Sequence, residues 1–273
     1  SKAKNHNTTS FQIFKDIIID AGNVLNALGN ETKDINHIFL THSHADHIAD
    51  LPFIIETFFE ERSSPLTIYA LEETIDVLQK HSFNNKIWPD FTKIKLLKND
   101  NFSLILKQIK INETINIHNY FIKAIHAEHI DGSCGYIVTK KNQSFIISGD
   151  TYINPILWEE INNNKTIKSL IIECSFPDKL ENLATLTKHL TPSLIAKQLQ
   201  NLKRKDISIF FYHLKPTYKK ELLNDIKKHK LLNYQGKILK EGDVIHIDTG
   251  NIENTLLSEH KFEEIMKINL AFT

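Results

Sequence analysis

Short apolar runs recur along the chain, each bounded by polar residues or glycine. They are Asp16–Asp20, His37–Thr41, Leu66–Ala70, Phe121–His126, Gly135–Thr139, Ser144–Ser148, Ser169–Glu173, Ile207–His213 and Val244–Asp248. Ile, Phe and Val dominate them, and such branched or aromatic side chains suit a pleated surface, so each predicts a strand. Apolar positions three or four apart predict helices at Leu71–His81, Ile153–Asn162, Pro192–Leu202, Lys219–Lys228 and Ile252–Ile268. Glu72 and Glu73 fall in the first turn of the first helix, Pro155 sits near the start of the second, and Thr191 is a good N-cap for the third. Lys93–His118 alternates and predicts antiparallel strands with a hairpin. Leu51–Glu61 is unusually apolar, through Phe53, Ile54, Ile55, Phe58 and Phe59. It reads as a helix buried in its own core, with a dimer contact or a cleft wall as alternatives. No repeat or low-complexity linker divides the chain. Residues 1–273 therefore read as one α/β domain of stacked sheets flanked by helices.

Composition changes this picture little. Of the 273 residues 41% are hydrophobic and 24% charged, enough apolar material for a core. The 33 basic residues balance 33 acidic ones. That removes the basic signature expected of a nucleic-acid binder, and no polymer substrate is expected. Lys203-Arg204-Lys205 is the one run of three basic residues and reads as a solvated helix end. Cys134 and Cys174 are far apart and read as two reduced, buried thiols rather than a disulfide framework. No stretch approaches the ~18 apolar residues of a membrane span, so no membrane partner is expected. The chain starts Ser-Lys-Ala-Lys with no visible signal peptide. The compartment stays open: the cytoplasm is favoured, with the periplasm or secretion as alternatives if a leader was removed.

Chemistry concentrates in His42-Ser43-His44-Ala45-Asp46-His47, three imidazoles and a carboxylate at a strand-to-helix turn. Imidazole nitrogen and carboxylate oxygen are donors that Zn2+ accepts, and Mn2+ or iron would also take them. A catalytic zinc takes about three protein ligands, and a two-metal site about twice that, so further donors are needed. Three other strand ends offer them: His126 and His129 after Phe121–Ile125, Asp150 after an apolar run and Gly149, and His213 after Ser208–Tyr212.

That order resembles the metallo-β-lactamase superfamily: His-x-His-x-Asp-His, a later His, Ser-Gly-Asp and a final strand-end His. The resemblance implies a four-layer αββα sandwich with two mixed sheets, flanking helices and two divalent metal ions, Zn2+ first. Carried over by position, His42, His44 and His129 would hold one ion and Asp46, His47 and His213 the other, with Asp150 bridging. The spacing from His129 to Gly135-Tyr136 favours His129 over His126. Asp20-Ala21-Gly22 matches an acidic motif that supports the site. Ile68-Tyr69-Ala70, Phe83–Phe91 with Trp88-Pro89, Glu173-Cys174-Ser175-Phe176-Pro177, Lys188-His189-Leu190-Thr191 and Tyr212–Pro216 resemble, more narrowly, class II cyclic-nucleotide phosphodiesterases. That family usually has glycine where Lys188 stands, and the superfamily usually opens with a strand that is missing, shortened or clipped before this segment.

The resemblance implies hydrolysis of 3′,5′-cyclic nucleotides, cAMP or cGMP, to 5′-nucleotides. His189 would be the general acid, Glu173 its partner and Asp46 a further catalytic group, with Trp88, Asn85 and Phe176 as substrate contacts. The alternatives are a tRNase Z-like RNA phosphodiesterase and a thioester or lactone hydrolase on the same scaffold. The partner is then a small cyclic nucleotide, and a homodimer stays open.

Overall fold

The computed structural model describes residues 2, 6–247, 251–254 and 267–270. The apolar runs pair into two mixed sheets. The first comprises β1 (Phe11–Phe14), β2 (Ile17–Ile19), β3 (His37–Phe39), β4 (Leu66–Ala70), β5 (Leu104–Gln108), β12 (Asp243–His246), β13 (Asn251–Asn254) and β14 (Lys267–Leu270). Its order is β13-β12-β14-β1-β2-β3-β4-β5, parallel from β2 to β5 and antiparallel elsewhere. The second comprises β6 (Thr114–Ile117), β7 (Tyr120–His126), β8 (Cys134–Lys140), β9 (Gln143–Ile147), β10 (Ile167–Glu173) and β11 (Ser208–Tyr212). It runs β11-β10-β9-β8-β7-β6, with β9, β10 and β11 parallel.

The central strands are apolar throughout because both of their faces are covered. Alternate side chains go to opposite sides of a strand. Ile17, Ile19, Phe145, Ile147, Ile171 and Phe210 point between the sheets into one core. Ile146, Leu170, Ile172 and Phe211 face outward against α5 (Pro155–Asn163), α7 (Pro192–Gln198) and α8 (Lys219–Lys228). On the other flank Ile18, Ile38 and Ile68 meet α1 (Val24–Leu28), α3 (Leu51–Thr57) and α4 (Glu72–His81). The remaining helices are α2 (Ala45–Ile48) and α6 (Glu181–Leu186). This gives four layers, helix-sheet-sheet-helix, as expected. At one end the sheets are tied together: Cys134 N–H donates to the Thr41 carbonyl (2.8 Å) and the Tyr136 hydroxyl to the Leu40 carbonyl (2.7 Å).

Two expectations change and one strand is added. Of the helix expected at Ile252–Ile268, the two ends are strands instead, β13 and β14, and residues 255–266 lie outside the described residues. At those ends pairing with β12 wins, because β13 and β14 satisfy its backbone groups on both edges. Within Lys93–His118, β6 makes the expected antiparallel hairpin with β7, but β5 pairs with β4 in parallel. Alternation records a half-buried strand, not its direction. Strand β1 is an addition, a four-residue element held between β2, its hairpin partner, and β14. In Leu51–Glu61, Leu51, Ile54 and Ile55 are buried in the flanking core while Phe53 stays 44% exposed. Cys134 and Cys174 are both free and buried. Among the described residues no helix is long and apolar enough to cross a membrane.

Candidate active site

The site lies where strands of both sheets end side by side. β2 runs into Asp20, β3 into Thr41 and His42, β9 into Gly149-Asp150, β10 ends in Glu173, and β11 runs into His213. The turns there are sharp: Asp20, Gly149 and His213 all have positive φ, of 59°, 64° and 62°. Gly149 accepts that conformation freely, and a Cβ on it would come within 2.5 Å of the Cys134 carbonyl oxygen. For Asp20 and His213 the same conformation is strained, as is common where side chains are held for function. His44 precedes α2, whose single turn carries Asp46 and His47.

These ends bring the histidines and carboxylates into two adjoining groups. Donor atoms of His42, His44, His129 and Asp150 lie within 4.8 Å of one another, and so do those of Asp46, His47 and His213. Asp150 Oδ2 sits between the groups, 3.8 Å from His42 Nε2, 3.5 Å from His47 Nε2 and 3.6 Å from His213 Nε2. His129 Nε2 is 3.2 Å from His44 Nδ1, and His213 Nε2 is 3.3 Å from Asp46 Oδ2. His126 lies apart, its ring 3.4 Å from Glu128.

The hydrogen bonds around the rings set their tautomers. His47 Nδ1–H donates to Asp20 (2.7 Å) and His129 Nδ1–H to the Lys188 carbonyl (3.0 Å). Thr41 spends its hydroxyl proton on Asp20, so it accepts from His42 Nδ1–H at 3.0 Å. Ser175 likewise donates to Glu173 (2.6 Å) and accepts from His213 Nδ1–H (2.8 Å). Each of these four rings therefore turns Nε2 inward, the arrangement that outer partners impose on metal-ligating histidines.

The residues fit a pair of divalent ions. His42 Nε2, His47 Nε2 and Asp150 Oδ1 are buried polar atoms with no hydrogen-bond partner among the described residues. Buried polar atoms are otherwise nearly always paired. Donors at about 2.0–2.1 Å on a tetrahedral ion stand roughly 3.3 Å apart, which matches the observed separations.

Charge follows the same logic. Burial pushes His42, His44, His129 and His213 below the usual histidine value, so their rings are neutral donors. Burial opposes ionisation of Asp150, but His213, His47 and His42 hold it well below the carboxylate range. Burial also works against Asp46, whose carboxyl is nevertheless lowered by its His213 hydrogen bond and by His47. His47 is the exception: Asp20 and Asp150 outweigh its burial and raise it, so its Nε2 carries a proton that a bound ion would displace.

Beside the ligand groups, His189 Nδ1 is 2.7 Å from Glu173 Oε1 and 3.9 Å from Asp150 Oδ2. Glu173 is fully buried and also accepts from Thr151 N–H. Burial would lower His189, but the Glu173 charge and hydrogen bond raise it. A cleft of about 590 Å³ opens over His44, Asp46, Asp150, His189 and His213, with Lys215 at its side.

Of the three expected substrate contacts, Phe176 is brought to the site, where its buried ring packs edge-on to His189 at 5.7 Å with the Lys215 amine 4.8 Å over it. Trp88 packs against Phe53 instead, and Asn85 lines a separate cleft and accepts from Asp90 N–H. None of their described contacts reaches the ligand groups. Sequence reading missed Ser175, Thr41 and Lys215. Only the position of Lys215 just past a strand-end histidine signals it, as a cation for an anionic substrate.

Lys188 keeps the backbone conformation that explains the glycine of the related family. Its φ is 52°, and its carbonyl must turn toward His129. Glycine does this without strain, whereas another residue pays about 1–2 kcal/mol. The Lys188–Glu128 ion pair (2.7 Å) is half exposed and returns at most about 1 kcal/mol. Lys188→Gly is therefore expected to keep turnover and to leave the melting temperature unchanged or a few degrees higher. A clear drop in a thermal melt would refute this.

The sequence profile of the anti-Pycsar protein Apyc1 family matches residues 6–232. The chain belongs to that family. The family chain is 24% identical over 238 residues to a probable 3′,5′-cyclic-nucleotide phosphodiesterase of Yersinia pestis, covering 77% of this chain and 68% of that protein. It is 30% identical over 193 residues to 3′,5′-cyclic-nucleotide phosphodiesterase 1 of Saccharomyces cerevisiae, covering 62% of this chain and 51% of that one. The chain thus matches about half the length of the yeast relative. Its fold resembles the metallo-β-lactamase fold protein YhfI of Bacillus subtilis, with a TM-score of 0.65 at 16% identity over 87% of this chain and 90% of the other. This anti-Pycsar family chain has the metallo-β-lactamase fold, and the resemblance read from its sequence is borne out.

Proposed function

We propose that the chain is a dinuclear metal-dependent phosphodiesterase that opens 3′,5′-cyclic nucleotides, cAMP and cGMP among them, to 5′-nucleotides. One observation carries this reading: Asp150 Oδ2 stands between two adjoining donor groups, within 3.8 Å of His42, His47 and His213, and a Glu173–His189 pair stands beside them. The cyclic-nucleotide names of the relatives support the choice of substrate. In this reading His42, His44 and His129 would hold one ion and Asp46, His47 and His213 the other, with Asp150 contributing to both. Zn2+ suits these donors best. When bound, the ions supply Lewis acidity, lowering the pKa of an attacking water and offsetting charge on the phosphate.

The chain's own groups do the rest. Asp46, kept ionised, would accept a hydrogen bond from the attacking water and orient it. His189, held charged by Glu173 through Nδ1, offers Nε2–H to the 3′-oxygen as its bond to phosphorus breaks. Lys215 adds positive charge along the cleft for the phosphate. Leu186, 81% exposed at the rim, offers apolar surface to the base.

The test is a panel: metal-loaded protein offered 3′,5′-cyclic nucleotides of all four bases, bis(p-nitrophenyl) phosphate, a precursor tRNA, a thioester and a lactone. The expected result is 5′-nucleotide from cyclic substrates, abolished by chelation and restored by Zn2+ or Mn2+. Turnover of the chromogenic ester alone, or of the tRNA alone, would overturn the substrate assignment.

A further inference from the structure

Three strands carry a second set of donors at their other ends. Asp16 precedes β2, whose far end leads to Asp20. His37 starts β3, which leads to His42. His118 sits in the turn before β7, which leads toward His129. At about 3.3 Å per strand residue, His37 stands roughly 16 Å from His42, at the opposite pole of the sandwich. Donor atoms of Asp16, His37 and His118 lie within 4.8 Å of one another.

We infer that Asp16, His37 and His118 form a separate divalent-cation site, of zinc type, that clamps the two sheets together at this pole. A simple Asp–His pair accounts for only part of the geometry. Asp16 Oδ2 is 2.9 Å from His118 Nε2, but Asp16 Oδ1 is buried with no hydrogen-bond partner among the described residues. The Asp16 residue is only 7% exposed, so water does not readily satisfy that oxygen. An unsatisfied buried carboxylate oxygen beside two imidazoles is what a cation would complete. Burial keeps His37 below the usual histidine value, helped by His118 and Lys107 and opposed by Asp16, so the ring is a neutral donor. The Tyr69 hydroxyl, 3.3 Å from His37 Nδ1, orients it.

Two imidazoles and one carboxylate are a donor set for Zn2+ and its neighbours, with remaining positions open to water. His118 is half exposed, and a cleft of about 540 Å³ opens beside it and Asp16. Of the cations lining that cleft, Lys33 pairs with Glu61 at 3.6 Å, and the Arg62 guanidinium donates to the Ile35 carbonyl and the Asn36 side chain. Asp16 and His37 belong to the eight-stranded sheet and His118 to the six-stranded one, so an ion here bridges the sheets.

Zinc content is measured on the full chain, equilibrated with Zn2+ and then dialysed. The expected result is one equivalent more in the wild type than in His118→Asn and in Asp16→Asn, with turnover of the cyclic substrate unchanged. Asparagine tolerates the positive φ of His118 (51°), and Asp16→Asn keeps the side-chain shape, so both variants should fold. In the wild type, with the Asp150 cleft already loaded, further Zn2+ should shift the NMR ring signals of His37 and His118. Equal zinc in all folded chains, or ring signals that ignore added Zn2+, would overturn the inference. The readout is a difference of one equivalent between variants, so it stands even if the proposed substrate is wrong.

Discussion

Asp150→Asn is expected to cost about a thousandfold or more in turnover and to strip metal from the purified protein, while the chain stays folded. Asn has the same shape but lacks the charge and one oxygen donor. Asp150 is 2% exposed and stands within 3.9 Å of a nitrogen of His42, His47, His189 and His213. In the proposed site it is the group that belongs to both ions, so losing it weakens both. Stabilisation of several kcal/mol in the transition state corresponds to that loss at about 1.4 kcal/mol per tenfold. The fold should survive because substitution removes a buried anion rather than a packed side chain. Elemental analysis, kcat and a thermal melt on one preparation decide the matter. A variant with its full metal complement and wild-type kcat would show that Asp150 does not bridge.

The Glu173–His189 pair should separate from the ligands in the same assay. His189→Ala is expected to lower kcat by about 10²–10⁴-fold, the usual worth of a positioned acid, with metal content and KM little changed. Loss of metal would instead make His189 a ligand, a role its closeness to Asp150 and His213 allows. Glu173→Gln should act twice. It removes the anion that raises His189, and it disturbs Ser175, which accepts from His213. A raised histidine is charged below its folded pKa and loses its proton as pH rises through it. Removing Glu173 lowers that pKa, so the alkaline limb of kcat should move to lower pH. An unmoved limb would mean that another group supplies the proton.

The candidate site was largely legible because His42, Asp150 and His213 follow apolar strands closely, and His44, Asp46 and His47 crowd the turn after the first of them. Metal chemistry demands those residue types whatever the surroundings. The strands were legible for a related reason: burial on both faces makes them continuous apolar runs such as Phe145–Ile147. What stayed hidden was set by pairing at a distance. The direction of β5 depends on β4, and the strands at 251–254 and 267–270 depend on β12. Ser175 and Thr41 act only through the atoms around them, and a hydroxyl in a sequence carries no mark of that. Trp88 drew attention as an aromatic beside a proline, yet its described contacts are with Phe53 and the flanking core. Lys188 is the reverse case: its positive φ accounts for the glycine of the family pattern, and the lysine holds the same conformation at a cost.

The tie between the sheets at Thr41–Cys134 and Leu40–Tyr136 has a consequence for the life of the protein in a cell. Donors for the proposed ions come from both sheets, so an ion is held only by the docked arrangement and not by either sheet opened from the other. At free metal a hundredfold above its dissociation constant, one ion shifts the opening equilibrium by about 2.7 kcal/mol, roughly a hundredfold fewer open molecules. Open molecules are the ones proteases cut. Survival of the chain would then follow the metal supply: starved copies would be cleared, and the copies that persist would be those ready to work.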